Sequence, residues 1–311
     1  SIVYSDATKG WVPISDDAVA KDHTPPPTQK GIFAYGHNGS SNVSMSNLVN
    51  SSGVVATDVT GVGSAKNQSK ACTYGTDKGI VSGGSGASTT NLISNSGVVA
   101  SDVTGVGTAR NAMGACTYDY TKGIFAYGTG VTNISNLISS SGVVGSDVTG
   151  VGTARAYTAA AEYGGDKGIF AFGQPSGFTA VSNLVSNTGV VASDVSGVGT
   201  ARGALAATNY GTDKAIFAYG EAGGGNLSMS NLVSNSGVVA SDVSGVGTAR
   251  QNPGATNYGG TSGTAIFAYG NTGSRVSMSN LVNSSGVIAS DVTGVGTARD
   301  ALAACGYSST A

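Results

Sequence analysis

The chain has 311 residues, long enough for a large core, and a formal net charge of −2 with only 10% charged residues, against roughly 25% in ordinary soluble domains. That balance excludes a basic footprint for nucleic acid. No apolar run reaches the ~18 residues of a membrane-spanning helix, and 50 glycines without a Gly-X-Y period exclude collagen.

Residues 1–29 read as an N-terminal arm and linker. Ser1-Ile2-Val3-Tyr4 is not the charged opening of a secretory leader. The chain starts without Met, which leaves processing or a fragment open. Ile2-Val3-Tyr4 and Trp11-Val12-Pro13-Ile14 predict two short strands around a polar turn, Ser5 to Gly10. Ser15 to Gln29, with Pro25-Pro26-Pro27, predicts an extended, stiffened linker. Trp11 is the only tryptophan. A segment this short cannot bury a core of its own, so the arm is expected to pack on another chain as a tether.

Residues 30–311 repeat one unit six times. The anchor Gly31-Ile32-Phe33-Ala34-Tyr35-Gly36 returns, varied, from Gly79, Gly123, Gly168, Ala215 and Ala265. It is apolar throughout, as in a strand buried on both faces. In the first copy a polar loop follows, His37 to Asn42, then a strand from about Val43 to Val49. Asn50-Ser51-Ser52-Gly53 is a tight turn and Val54 to Val59 an outer strand. Gly61-Val62-Gly63 leads into Ala65 to Tyr74, whose small residues suit a strand crowded near an axis.

A period in the forties built from such pieces predicts an all-β fold. The expected form is a six-bladed β-propeller of four-stranded antiparallel blades. The copies open on a second strand, Gly31, and end on a first strand, Ala298 to Tyr307. The C-terminal strand should therefore pair with the first blade and close the ring.

Three charged or aromatic columns keep their spacing. Asp58, Asp102, Asp147, Asp194, Asp242 and Asp291 are each followed eight residues later by Lys66, Arg110, Arg155, Arg202, Arg250 and Arg299. Eight further on stand Tyr74, Tyr118, Tyr163, Tyr210, Tyr258 and Tyr307. An Asn column runs from Asn47 to Asn280. The charged columns could line an anion or sugar-acid site, or each Asp could pair with or cap a nearby Arg. Six equal copies favour the structural use. The Tyr column should close the blade, with packed rings and hydrogen-bonded hydroxyls, although sugar stacking is an alternative. Cys72, Cys116 and Cys305 share a column with Ala161, Thr208 and Thr256. A small packed position is expected there rather than a disulfide framework.

The order Thr108-Ala109-Arg110, small residues, Tyr118, then Gly123-Ile124-Phe125-Ala126-Tyr127-Gly128 resembles a kelch blade. The double glycine of that family survives only at Gly83-Gly84, and its late-blade Trp is absent. This resemblance covers residues 31–307 and implies architecture without an activity. Tyr4-Ser5-Asp6-Ala7-Thr8-Lys9-Gly10-Trp11 resembles segments near the ends of bacteriophage virion and tail-fibre proteins. That resemblance implies a ring mounted on a virus particle.

No Ser/His/Asp set, metal-ligand cluster or phosphate loop stands out, so neither an enzyme nor a cofactor or metal is expected. His23 and His37 are the only histidines. Variation concentrates in the loops after the anchors, where binding usually resides. Candidate binding residues there are His37, Asn38, Asn42, an exposed Phe178, Glu221, Asn226, Asn271 and Arg275. The expected function is a non-enzymatic structural or binding module, a phage tail fibre or surface appendage. Its arm would meet other virion proteins or a symmetry mate, and one face would meet a host glycan or protein. That places it on the virion surface or outside the cell. A secreted or surface bacterial lectin, and less favoured a carbohydrate-active enzyme, are the alternatives.

Overall fold

The computed structural model describes residues 2–6, 10–13 and 26–311. β1 (Ile2–Asp6) and β2 (Gly10–Pro13) pair antiparallel as the expected N-terminal hairpin, Tyr4 opposite Trp11. Of the expected linker, residues 15–25, His23 among them, lie outside the described residues, and so does the side chain of Trp11. Elsewhere the fold is all-β; the one helical turn among the described residues is Gly260–Ser262. No helix among them is long and apolar enough to cross a membrane.

The repeats form six antiparallel three-stranded sheets. β3 (Lys30–Ala34) lies between β4 (Ser46–Val49) and the C-terminal strand. β6 (Lys78–Ser82) lies between β5 (Lys70–Tyr74) and β7 (Thr90–Ile93). β9 (Lys122–Ala126) lies between β8 (Gly114–Tyr118) and β10 (Ser135–Ile138). β12 (Lys167–Gly173) lies between β11 (Ala159–Tyr163) and β13 (Thr179–Val185). β14 (Ala206–Tyr210) and β15 (Lys214–Ala218) precede a two-residue hairpin of β16 (Glu221–Ala222) and β17 (Gly225–Asn226). β18 (Ser230–Val233) then completes the fifth sheet. β20 (Thr264–Asn271) lies between β19 (Gly254–Tyr258) and β21 (Arg275–Val282). β22 (Ala303–Tyr307) pairs with β3, Cys305 opposite Ile32, as the split repeat predicted.

The expected fourth strand is not formed. Val54 to Val59 makes only isolated bridges, Val55 to Val49 and Val59 to Ser46. Four residue steps on the outer segment face three on β4, so one residue is in excess and the ladder breaks as at a bulge. Asn47 fills the gap: its Nδ2 donates to the Ala56 carbonyl at 2.9 Å. The same Asn-to-carbonyl bond recurs in all six sheets. This is why the Asn column exists.

The first strand of each sheet contacts the first strands of the sheets before and after it, in the cyclic order β5, β8, β11, β14, β19, β22 and back to β5. At one end of these strands six residues adopt the left-handed conformation: Gln68, Ala112, Tyr157, Ala204, Asn252 and Ala301. Each donates its N–H to the carbonyl of the one before, and Gln68 donates to Ala301 at 2.7 Å, so the cycle returns to its start. At the opposite end the hairpin turns are linked likewise. Gly75 donates to Thr121, Asp119 to Asp166, Gly164 to Asp213, Gly211 to Gly263, Gly259 to Gln29 and Ser308 to Asp77.

Neighbouring sheets interlock through size compensation. A Cβ on Gly79, Gly123 or Gly168 would meet Sγ of Cys305, Cys72 or Cys116 at 2.5, 2.5 and 2.6 Å. Gly31 likewise receives the Thr256 methyl, and Ala161 and Ala215, at the same repeat positions, share one buried cluster. All three cysteines are free and buried, the small packed position the sequence predicted. Aromatic edges meet across sheets as well, for example Phe172 on Phe217 with centroids 5.5 Å apart; such pairs add about 0.5–1.5 kcal/mol each beyond burial. The Tyr column packs on the adjacent sheet, each ring covering the turn glycine there, as Tyr258 covers Gly53. Its rings are packed as expected, but the hydroxyl bonds belong to a different set. Tyr35, Tyr127, Tyr219 and Tyr269, at the ends of the anchor strands, donate to the carbonyls of Val62, Val151, Val246 and Val295.

Candidate functional site

Two regions merit attention: the loop end of the six sheets, and a cavity enclosed by their first strands.

The Asp and Arg columns lie beneath the loops and hold the framework. Arg202 is fully buried. Its Nε donates to the Tyr219 carbonyl at 3.0 Å, Nη1 to the Thr200 carbonyl at 3.2 Å and Nη2 to Asn231 Oδ1 at 2.7 Å. Its guanidinium lies 4.2 Å from the centre of the Phe172 ring in the preceding sheet. Burial brings its pKa down to about 10, against the pull of Asp242. Asp242 accepts the Thr200 N–H and hydroxyl and stands 3.9 Å from Nη1. Burial alone would raise Asp242, but the Thr200 and Asn231 bonds and the Arg202 charge hold it low. The ion-pair partner of Arg110, Arg202 and Arg250 is therefore the Asp of its own sheet, 37, 40 and 41 positions later in sequence, and not the Asp eight residues before it. In the first sheet this bond joins the chain's two ends, Asp58 to Thr297 and Arg299.

The second sheet departs from the set. Gly83 stands where the others carry Tyr35, Tyr127, Phe172, Tyr219 or Tyr269, so Arg110 has no ring beneath it. Met113 occupies that space, its Cε 2.5 Å from where a Gly83 Cβ would be. In the first sheet-to-sheet junction Lys66 replaces Arg, lies 4.7 Å from the Tyr35 ring centre, and makes one bond, to Asn91. Burial lowers Lys66 to about 8, partly offset by Asp102.

The loop candidates are brought together only in part. His37, Asn271 and Arg275 meet around Asp300, a buried residue the sequence reading passed over. Arg275 Nε lies 3.3 Å from Asp300 Oδ1, Asn271 Nδ2 donates to Oδ2, and Arg275 Nη2 lies 3.4 Å from His37 Nδ1. The Gly39 N–H also donates to Nδ1, so this nitrogen is the acceptor. Asn42 donates to Ser85 of the next loop, and Asn226 to the Asn271 carbonyl of the next. Asn38 turns inward on its own loop, accepting from the Ser40 and Ser41 N–H groups. Glu221 faces the Gln251 amide nitrogen at 2.6 Å once that amide is oriented to donate. Burial raises the Glu221 carboxyl. Phe178 is not the exposed ring expected from its Gly-rich loop: it is half-buried, because it lies on Gly203 beside Tyr157.

The cavity encloses about 780 Å³ and is walled by small residues of all six first strands, with Pro26, Pro27 and Thr28 at one side. It holds one acidic strand residue absent from the predicted site, and a basic one, Lys70, stands outside its lining. Glu162 lines it where the other copies place Thr73, Thr117, Asn209, Asn257 and Gly306. Burial, with Asp166 nearby, raises its carboxyl to about 8. Lys70, at the opposite end of its strand, is lowered by burial to about 8. The signal was present in the sequence: one acid and one base in strands otherwise made of Ala, Gly, Cys, Thr, Asn and Tyr. A reading that followed only the constant columns passed over them.

No protein-family model matches the chain, and no curated protein matches its sequence.

Proposed function

We propose that the six sheets are the blades of a closed, kelch-like six-bladed β-propeller that serves as a non-enzymatic attachment module of a virus particle. The two cycles of backbone bonds, one at each end of the inner strands, support closure. The observation that carries the functional reading is the loop end. The six copies differ there, and their side chains bond from loop to loop, Asn42 to Ser85, Asn226 to Asn271, Arg275 to Asp300. A polar surface already stiffened in this way loses little entropy on meeting a partner. The partner would be a host-surface glycan or protein, and residues 1–29 would tether the ring to other virion proteins. A belt of exposed valines, Val54, Val98, Val143, Val190, Val238 and Val287, each about 60% exposed, favours a ring packed beside other chains.

The test is binding of the labelled full chain to host-envelope glycans and proteins, with Arg275→Ala and Asn226→Ala beside it. Binding that falls at least tenfold in these variants while the valine belt variant Val190→Thr binds normally supports attachment through the loop end. Binding unaffected by both loop changes overturns it. Labelling of particles with an antibody against the ring separates the virion reading from a secreted lectin.

A further inference from the structure

A second ligand site is built into the axial cavity, independent of the attachment reading. Thr73, Thr117, Glu162, Asn209, Asn257 and Gly306 stand at one level, because each pairs with the first residue of its own anchor. Half of this level is already bonded. Thr73 Oγ1 donates to the Gly306 carbonyl at 2.9 Å and Thr117 Oγ1 to the Thr73 carbonyl at 3.0 Å. The other half is three consecutive strands, β11, β14 and β19, that offer acceptors. Asn257 Nδ2 donates to Thr28 Oγ1 at 2.9 Å, which leaves its Oδ1 to the cavity. Among the described residues neither Glu162 nor the Asn209 amide has a hydrogen-bond partner, and both line the cavity.

Two residues earlier on each first strand, and so on the same face, stands an alanine: Ala71, Ala115, Ala160, Ala207, Ala255 and Ala304. All six line the cavity. They form an apolar collar next to the acceptors.

We propose that this cavity takes an aliphatic primary ammonium ion, with its three N–H donors on Glu162, Asn209 Oδ1 and Asn257 Oδ1 and its hydrocarbon chain along the alanine collar. A primary ammonium has three donors and no acceptor, which matches three acceptor side chains at one level on consecutive strands of the cavity wall. A carboxyl in an apolar wall lacks a countercharge, and a bound cation supplies it. The volume lies within the usual range for a small-molecule site.

Proton linkage gives the proposal a signature. The charged or titratable groups around Glu162 are Asp166, paired with Lys167, Asp213, paired with Lys214, Cys116 on β8, and Tyr120, which lies against Gly165. With Glu162 raised to about 8, the empty site holds a proton at pH 7. Binding the ammonium favours the carboxylate and expels that proton. Affinity therefore rises by up to roughly tenfold per pH unit below pH 8 and levels off above it, until the amine itself loses its charge near pH ~10.

The experiment is titration calorimetry of the full chain with n-hexylammonium chloride at pH 7 and pH 9. One ion should bind per chain, up to ~10-fold more tightly at pH 9 than at pH 7. Glu162→Gln should lose at least ~10-fold at pH 9 and abolish the pH dependence. Asn209→Ala should weaken binding by several-fold, and it tests the site even if the first variant misfolds. Two results overturn the proposal: no binding at millimolar ion, or 1-hexanol binding as tightly as the ammonium, which would make the cavity merely apolar.

Discussion

The two ends of the inner strands were built by different rules. At the loop end five of six sheets set a basic side chain, Arg in four and Lys66 in one, over an aromatic ring of the sheet before, and the cyclic backbone bonds there use the same position in every copy. At the hairpin end the corresponding level reads Thr, Thr, Glu, Asn, Asn and Gly. Repetition marks what the scaffold requires of every sheet. Its breakdown marks where one sheet is free to differ, and a ligand needs such a difference.

The comparison can be broken most severely by removing residues 298–311. This takes away β22, the Arg299 contacts and both cycles' closing bonds. Melting followed by circular dichroism should drop by more than ~15 °C or lose its cooperativity; an unchanged curve would refute the role assigned to the C-terminal strand. Next comes Arg202→Ala. It strands the buried Asn231 carbonyl oxygen, removes the bonds to the Tyr219 and Thr200 carbonyls and empties a buried site, and urea titration should show a loss of about 3 kcal/mol. Arg250→Ala and Arg110→Ala remove matching bonds, Nη1 to a Thr carbonyl and Nη2 to an Asn, but only Arg250 has a ring beneath, so the loss at Arg110 should be smaller than at Arg250 by about 1 kcal/mol. Equal losses would show that the ring stacking contributes nothing.

Lys66→Arg sharpens the same point in the opposite direction. It restores the planar fork at the one position that lacks it and should gain about 1 kcal/mol in the same titration. The smallest effect concerns the other end. The folded-state value of Glu162, about 8, lies above the ordinary ~4.3 of a free glutamate. Its contribution is then full below pH ~4, fades as pH rises through the interval, and is gone above pH ~8. The full chain should melt a few degrees lower at pH 8 than at pH 5 relative to Glu162→Gln. Parallel curves for the two proteins would show that Glu162 is not held neutral.

Much of this was legible in the sequence because repetition works as an internal alignment. The anchors gave the number of sheets, six, and the orphan at Tyr307 gave the pairing of the two ends. The Asp and Arg columns stand out in the sequence by their spacing. Their pairing was not legible, because a contact across a sheet follows topology rather than spacing: Arg202 meets Asp242, not Asp194. The fourth strand was misread because Val-Val-Ala-Ser-Asp-Val has strand composition, while the ladder is interrupted by a side chain, Asn231, reaching the Ala240 carbonyl. Phe178 was misread because a Gly-rich loop says nothing of the neighbouring Gly203 on which the ring lies. Glu162 was missed because it is a single exception, and single exceptions carry no periodic signal.

The interrupted outer segment has a further consequence. Each sheet ends in a valine-rich stretch that would otherwise present a long, flat, unpaired edge. Identical edges in one molecule and its neighbours invite strand-to-strand joining and fibril growth. The excess residue kinks that edge, and an asparagine amide already occupies the carbonyl at the kink. Six near-identical apolar borders can thus face outward at high local concentration without acting as templates for one another.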